Sequence, residues 1–451
     1  MSHRKSLRAG PWPKRLLEPW GDSASIRAAL YSDEQLDRHA LSLADVQVVV
    51  RDSTPVVPLL ERVEQNRRAL IACYQSILTE TSAGREVTSA ADWLLDNFHS
   101  IEENIRQINQ DLPGSYFRQL PKLGPGFLEG HPRIFGIVWG YIAHTDSAVD
   151  PDRLGRYVRM HESRKALTLG ELWAVPIQLP IILIENARRL AEQIVEAGAE
   201  RAAADRAADL ILGLDGSPPA AFEQAVSEGH RLDSGRSFVV QLLLRLAEQP
   251  ADAAIAWANA RLLAFGLDPQ DAIQQEHQAQ AQATVSMHNI FRSLRTITDV
   301  NWEDWLESVS LIEEELRVSP GYSALDFGTR NLYRSAIERL ARGSGQEEID
   351  VARAVIARAA TAPDELGQDV GYWLTDDGLA LFEHSLGYRP ALTERIARAL
   401  PRSGLAGYAG VLTLVIGALA LVLWPVAVLS AGTGVGWLIL LGLLALSPAS
   451  D

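Results

Sequence analysis

The sequence predicts an all-α protein of stacked helix pairs, followed by a C-terminal transmembrane helical hairpin. Three observations support this prediction. Apolar residues recur at helical spacing over most of the chain, most clearly at Leu94, Phe98, Ile101, Ile105 and Ile108. No stretch keeps the alternating period of a β-strand, and no repeat of roughly 20–50 residues is evident. Between residues 404 and 450 there is no charged side chain.

Composition restricts the classes of function. The chain has 451 residues and a formal net charge of −15, which is long enough for two or three domains. The acidic balance argues against a nucleic-acid partner, because such binders present a basic face. A single cysteine, Cys73, excludes an intramolecular disulfide framework and suits a reducing compartment. The basic start lacks the apolar run of a signal peptide, so we expect a cytoplasmic helical domain.

Composition and breaks in periodicity divide the chain into four parts. Residues 1–22 hold three prolines among mixed charges and predict a mobile arm. Residues 23–200 predict a helical core domain, and 201–403 a second helical region that begins in an Ala-rich, charged stretch. Residues 404–451 predict the membrane hairpin.

The hairpin prediction depends on two apolar runs. Leu405 to Leu429 is a run of 25 uncharged residues, about 38 Å long as a helix against a hydrocarbon core of about 30 Å. After the turn-like SAGTG, Val435 to Leu446 is apolar but reaches only about 18 Å. The second run is re-entrant, or is completed by its flanks, or belongs to a truncated chain. We favour truncation.

The stretch from Asp92 to Leu190 organises the soluble part. The apolar face from Leu94 to Ile108 predicts a helix that forms the central seam and packs on a buried helix over Ile134–Ile142. Pro113-Gly114 must end the first of these helices. The sequence Thr168-Leu-Gly-Glu171 predicts a capping box at the start of another helix. We expect that helix to bend or break at Pro176 and Pro180.

Several motifs of this stretch carry a family resemblance. In chain order they are LLDNFHSIEENIRQI, YFRQLPKL, AHTDS and LTLGELWAVPI, followed later by SLRTITDVNWEDWLESVSLIEEELR and DFGTRNLYRSAIERLARGSG. Together they resemble the N-terminal region of bacterial cyclic β-1,2-glucan synthases, which are large membrane glucosyltransferases. The resemblance covers nearly all of the chain beyond about residue 20.

The resemblance implies a function for the whole enzyme and a place for this chain within it. Such a synthase uses UDP-glucose and a divalent metal to build β-1,2-glucan and close it into a ring. Its catalytic glucosyltransferase domain follows the region seen here, so no cofactor is expected in this chain. The resemblance implies a scaffold or regulatory role at the bacterial inner membrane, beside that downstream domain and with the membrane as a further partner.

Seven residues are candidates for contact with a ligand or partner. The Pro-bounded loop supplies Tyr116, Arg118 and Lys122, in which Arg118 could clamp a carboxylate or phosphate. The alternative for Arg118 is an internal ion pair that holds the loop. The remaining candidates are His144, Asp146, Glu171 and Trp173. His144 has a structural alternative at the end of a buried helix, and Glu171 is explained by the capping box.

No catalytic or metal-binding residue is predicted in this chain, although two other classes of function stay open. The sequence Asp150-Pro-Asp152 follows no strand, and Asp150 is better explained as an N-cap than as a metal-binding carboxylate. A glycosidase or transglycosylase would need two carboxylates across a sugar groove. Its candidates are Glu102, Glu103, Asp146 and Glu171, with Trp93, Trp139, Tyr141 and Trp173 as stacking aromatics. A membrane-anchored protein-docking module is the other alternative.

Overall fold

The computed structural model describes residues 24–50, 58–111, 119–214, 235–390 and 394–395. The first half of this chain forms the following elements: α1 (Asp33–Val46), β1 (Val49–Val50), α2 (Leu59–Ser82), α3 (Ser89–Asp111), β2 (Lys122–Leu123), α4 (Arg133–His144), α5 (Pro151–Glu162) and α6 (Leu169–Leu212). The second half forms α7 (Arg236–Leu246), α8 (Asp252–Ala264), α9 (Pro269–Asp299), α10 (Trp302–Val309), α11 (Leu311–Leu316), α12 (Phe327–Ser344), α13 (Glu348–Ala360), α14 (Val370–Thr375) and α15 (Leu379–Leu386).

Helix α6 is the central element of the fold. Its 44 residues pack against α2, α3, α4, α7 and α9. It begins with the predicted capping box, in which Thr168 and Glu171 each bond the other's backbone N–H. Of the bend or break expected at Pro176 and Pro180, the break is wrong, because the helix continues through both. Although each proline removes a backbone bond, residues 179–184 are completely buried, and this packing holds the helix together.

The first of three hydrophobic cores lies around α4 and the first half of α6. Every residue of α4 is buried, which confirms the predicted buried helix. Helices α1, α2, α3 and α5 surround it, together with the end of α9 and α10. On α3 the predicted face is buried at Leu94, Ile101, Ile105 and Ile108, whereas Phe98 is half-buried against Tyr74.

The prediction that α3 packs on α4 is wrong. Helix α3 packs against α2, α6 and α9, and its extensive contacts do not include α4. Helix α6 contacts both of them. The apolar periodicity of α3 identified its buried face correctly, but periodicity carries no information about which helix covers that face.

Two further cores lie along the rest of the residues that the structure describes. The C-terminal half of α6 supplies Ala203, Ala204, Ala207 and Ala208 to a core with α7, α8 and the start of α9. The other core is built by α11 to α15 within residues 312–386. Leu169, the first residue of α6, also belongs to this last core. Helix α6 therefore reaches all three cores.

A small antiparallel β-ribbon joins the two chain segments that flank α2 and α3. Val49 pairs with Leu123 and Val50 with Lys122. The sequence showed no strand period because each strand has only two residues, which is too short to establish alternation. The described part of the chain is thus all-α apart from this ribbon.

The membrane hairpin in the fold-class prediction is not supported. In the described ranges no helix combines the length and the apolar character that a membrane crossing needs. Even in α6 the charge-free stretch runs only from Leu172 to Ile184, about 20 Å of helix against a hydrocarbon core of about 30 Å. The predicted hairpin over 404–451 and the predicted arm over 1–22 lie outside the described residues. The predicted boundary at 200/201 falls inside α6, and the domain limits stay a prediction.

Candidate functional site

Three of the sequence-predicted site residues lie at opposite ends of the buried helix α4. His144 and Asp146 are at its C-terminal end, where the chain turns towards α5. Glu171 meets Arg133 at its N-terminal end. Twelve residues of helix separate these ends, about 18 Å. The structure therefore does not bring His144 and Asp146 together with Glu171 in one site.

His144 is held in an aromatic and backbone setting. Its ring stacks on Tyr31, with centroids 3.7 Å apart, and lies 4.6 Å from the His39 ring. Its Nδ1 contacts the Ala29 carbonyl at 2.7 Å, and because a carbonyl only accepts, Nδ1 carries the proton. Burial lowers the pKa of His144, so the ring is neutral at pH 7. The structure therefore gives His144 a role in anchoring the segment before α1.

Asp146 lies in the strained turn between α4 and α5, and its contacts connect this turn to α9. Asp146 and the following Ser147 have φ of 50° and 63°, which is uncommon for residues other than glycine. One Asp146 carboxylate oxygen accepts a hydrogen bond from Ser286 Oγ at 2.5 Å and lies 3.4 Å from Arg27 Nε. The Asp146 carbonyl accepts from the Asn289 amide. Burial raises the pKa of Asp146.

Glu171 and Arg133 form a buried bidentate ion pair. Arg133 donates from Nε and Nη2 to the two Glu171 oxygens at 2.8 and 2.5 Å, and its Nη2 also donates to the Ala166 carbonyl at 3.0 Å. The same carboxylate accepts the Thr168 backbone N–H at 2.9 Å as part of the capping box. One buried carboxylate therefore both caps α6 and fixes α6 to α4.

The remaining candidates are distributed as follows. Tyr116 and Arg118 lie outside the described residues. Lys122 lies in β2, opposite Val50. Trp173 is half-buried and packs edge-on against Phe327 at 6.3 Å, joining α6 to α12. Lys122 and Trp173 therefore also make contacts that connect elements of the fold.

The geometry does not assemble the glycosidase arrangement from its candidate residues. Trp139 and Tyr141 are fully buried in α4, so neither ring can face a sugar. Glu102 and Glu103 are exposed on α3. Asp150 is the N-cap of α5 and accepts the Arg153 N–H at 2.9 Å, which confirms the cap interpretation. In the described part of the chain no group of three or more His, Cys, Asp or Glu side chains could hold a metal ion.

A cleft of about 720 Å³ lies at the N-terminal end of α4. One wall comes from the first core, through residues 119–121 and the α5–α6 turn at 165–170. The other wall comes from the core of α11–α15, through the end of α12 and the start of α13. Its size is typical of small-ligand clefts, which commonly lie between packed units. Residues 119–121 are the described end of the loop that the sequence singled out, and this end borders the cleft.

Two buried carboxyl groups near this end of α4 have altered acidity. Burial raises the pKa of Glu348, which lines the cleft, to about 7, although its Oε2 accepts the Leu169 N–H at 2.7 Å. Burial likewise raises the pKa of Glu162 to about 8, with Glu171 adding to the effect. Such clusters are typical of binding sites and also of structural networks. We take the cleft as the candidate functional site.

Sequence reasoning missed the charged residues of the cleft, among them Lys165, Arg342 and Glu348. Lys165 Nζ donates to the Gln47 carbonyl at 3.1 Å, and Arg342 pairs with Glu338 at 2.6 Å. Both look like ordinary helix-end or surface cations in the sequence. The only local signal is Gly345, whose left-handed conformation ends α12 and turns the chain towards Glu348.

Comparison with known proteins identifies a relative of this chain. No family model matches it. It is similar to the cyclic beta-(1,2)-glucan synthase NdvB of Rhizobium meliloti (strain 1021), with 34% identity over 387 residues. The similarity covers 83% of this chain but only 14% of the relative's length. It confirms the resemblance carried by the sequence motifs: the chain belongs to the cyclic β-1,2-glucan synthases and corresponds to their N-terminal region.

Proposed function

We propose that this chain is the N-terminal scaffold or regulatory region of a membrane cyclic β-1,2-glucan synthase. The observation that carries the proposal is how the buried carboxylates are used. Glu171 joins α6 to α4 through Arg133, and Asp146 joins the α4–α5 turn to α9 through Ser286. Glu185 accepts from Arg62 and Arg189, each at 2.8 Å, and so joins α2 to α6. Carboxylates engaged in this way position helices.

The proposal gives the reaction to other parts of the synthase. The whole enzyme builds β-1,2-glucan from UDP-glucose with a divalent metal and closes it into a ring. In this chain, the loop that contains Tyr116, Arg118 and Lys122 contacts the downstream glucosyltransferase domain. The synthase works at the bacterial inner membrane, with this helical part on the cytoplasmic side. Support comes from the family relationship and from the position of residues 119–121, the described end of this loop, beside the cleft.

Deletion and complementation test the scaffold role. Residues 24–395 are removed from the full-length synthase, and glucan synthesis from UDP-glucose is measured in membranes with and without the separate chain. We expect the deletion to reduce the amount of glucan or its ring closure, and the separate chain to restore part of the loss. The chain alone should release no UDP. Release of UDP by the chain alone, or full activity of the deleted enzyme, would contradict the proposal.

Arg118 tests the contact loop within the same proposal. In Arg118→Ala, we expect the melting temperature of the chain to stay the same while synthesis by the full-length enzyme falls. The control is Arg85→Ala, which removes an exposed arginine paired with Glu80 in another turn. It should change neither property. Loss of stability together with synthesis in Arg118→Ala would instead support an internal ion pair.

A further inference from the structure

The cleft between the first core and the α11–α15 core offers hydrogen-bonding groups of both kinds. Its lining includes three cations, Arg133, Lys165 and Arg342, and three carboxylates, Glu338, Glu347 and Glu348. The amides of Gln119 and Gln346 add a donor and an acceptor each. Donors and acceptors therefore occur together, and the lining holds as many basic as acidic side chains.

This balance restricts the class of ligand. A phosphate or another anion would meet three carboxylates along with the basic side chains. A cationic ligand would meet three basic side chains along with the carboxylates. A polyhydroxyl ligand has no net charge, and each of its hydroxyls can donate once and accept twice. The described lining holds no aromatic ring. Recognition would therefore depend on hydrogen bonds at the sugar edges rather than on ring stacking.

The floor of the cleft is held in place before any ligand arrives. Arg133 is fixed by the bidentate Glu171 pair, and Glu348 is fixed by the Leu169 N–H. Both side chains are buried, at 4% and 9% exposure. Groups fixed in this way lose little entropy on binding, which favours affinity. In contrast, Arg342 is 60% exposed at the rim and can turn towards a ligand.

We propose that this cleft binds a short run of neutral β-1,2-linked glucosyl units. The proposal deepens the proposed function and rests on it, since β-1,2-glucan is the product in the name of the related synthase. Because the two walls belong to different cores, a bound glucan also joins the α11–α15 unit to the first core. The chain thereby holds a segment of the growing glucan beside the transferase.

Binding of linear β-1,2-linked gluco-oligosaccharides to the full chain tests this site by calorimetry. Arg342→Ala is compared with Arg68→Ala, since each removes an exposed helix arginine from an i,i+4 pair with glutamate, and only Arg342 lines the cleft. We expect the wild-type chain and Arg68→Ala to bind equally. Arg342→Ala should raise Kd about tenfold, as loss of a hydrogen bond to a charged group does. Bound oligosaccharide should slow amide exchange in α12 and α13.

Three results would overturn the cleft site. They are no binding by the wild-type chain, equal binding by both variants, and displacement of the oligosaccharide by UDP, which would point to an anionic ligand. These results are separate from the deletion assay. If deletion of 24–395 still reduces synthesis while the chain binds no oligosaccharide, the glucan site is wrong and the scaffold role stands.

Discussion

At the scale of single residues, the fold relies on buried arginine–carboxylate pairs. Arg133–Glu171 is the clearest case, with both side chains at 5% exposure or less. Removing one partner of a buried pair typically costs about 3–5 kcal/mol, because the other charge is left without compensation. A pair at the surface is worth about 0–1 kcal/mol, because water screens it.

These values give the first prediction. Arg133→Ala should lower the free energy of unfolding by about 3–5 kcal/mol, since it leaves the Glu171 carboxylate buried without its counterion. Arg156→Ala, which breaks the exposed pair with Asp37, should cost about 1 kcal/mol or less. Urea denaturation of the two variants measures the difference. Equal losses would mean that the Arg133–Glu171 pair contributes no more than a surface pair.

The second prediction concerns pH and Glu162. The folded-state pKa of Glu162 is about 8 against an ordinary 4.5, because burial favours the neutral acid. Between these values the unfolded chain loses a proton that the folded chain keeps, so this group lowers stability as the pH rises from 4.5 to 8. His39 and His161 have the opposite effect, because burial lowers the pKa of each to about 3. Below pH 6.5 the unfolded chain binds protons that the folded chain does not, so these two groups raise stability as the pH rises towards 6.5.

Glu162→Gln isolates the glutamate contribution from that of the histidines. The stability difference between variant and wild type should grow from pH 5 to pH 8, at a slope of up to about 1.4 kcal/mol for each pH unit. Gln keeps an oxygen that can accept the Leu167 N–H, so the local backbone bond is preserved. Glu102→Gln, at an exposed position, is the control for the amide substitution itself. Parallel pH profiles for Glu162→Gln and wild type would exclude a raised pKa.

At the scale of elements, local sequence signals predicted helix starts and buried faces well. The capping box at Thr168 and the Asp150 cap need only residues within one turn, and both are confirmed. The same holds for the fully buried α4. The continuation of α6 through Pro176 and Pro180 could not be predicted in this way, because it depends on packing by distant helices.

The third prediction concerns the buried face of α3. Ile101→Ala should cost about 2–5 kcal/mol, because its side chain is 1% exposed in the first core. Phe98→Ala should cost less than the roughly 3–5 kcal/mol of a fully buried phenylalanine, because Phe98 is only half-buried. Thermal melts of both variants measure these two losses of stability. The exposed Glu102→Ala should stay within about 0.5 kcal/mol of wild type.

At the scale of the whole molecule, contacts between distant segments set both the fold and the candidate site. Arg133 and Glu171 are 38 positions apart, and Leu169 and Glu348 are 179 apart. The sequence identified Glu171 through its cap. It did not indicate that Arg133 pairs with Glu171 or that Glu348 accepts the Leu169 N–H. The cleft was missed for the same reason, because its two walls come from segments whose proximity only the tertiary structure sets.

Helix α6 contributes side chains to different cores, so single substitutions in it can perturb one core at a time. Its first residue, Leu169, packs in the α11–α15 core, while Leu172, one turn later, packs in the first core. Both side chains are 2% exposed or less, and both belong to one helix. The same substitution at these two positions therefore removes similar apolar contacts from different cores.

The fourth prediction uses this pair. Leu169→Ala should speed amide exchange in α12 to α15 first, because the lost contacts and the resulting cavity, together worth about 2–5 kcal/mol, lie in that core. Leu172→Ala should instead speed exchange in α3 to α5, around the first core. Exchange mapped by mass spectrometry on the full chain distinguishes the two patterns. Identical maps for the two variants would mean that the cores open as one cooperative unit, with Leu169 merely part of it.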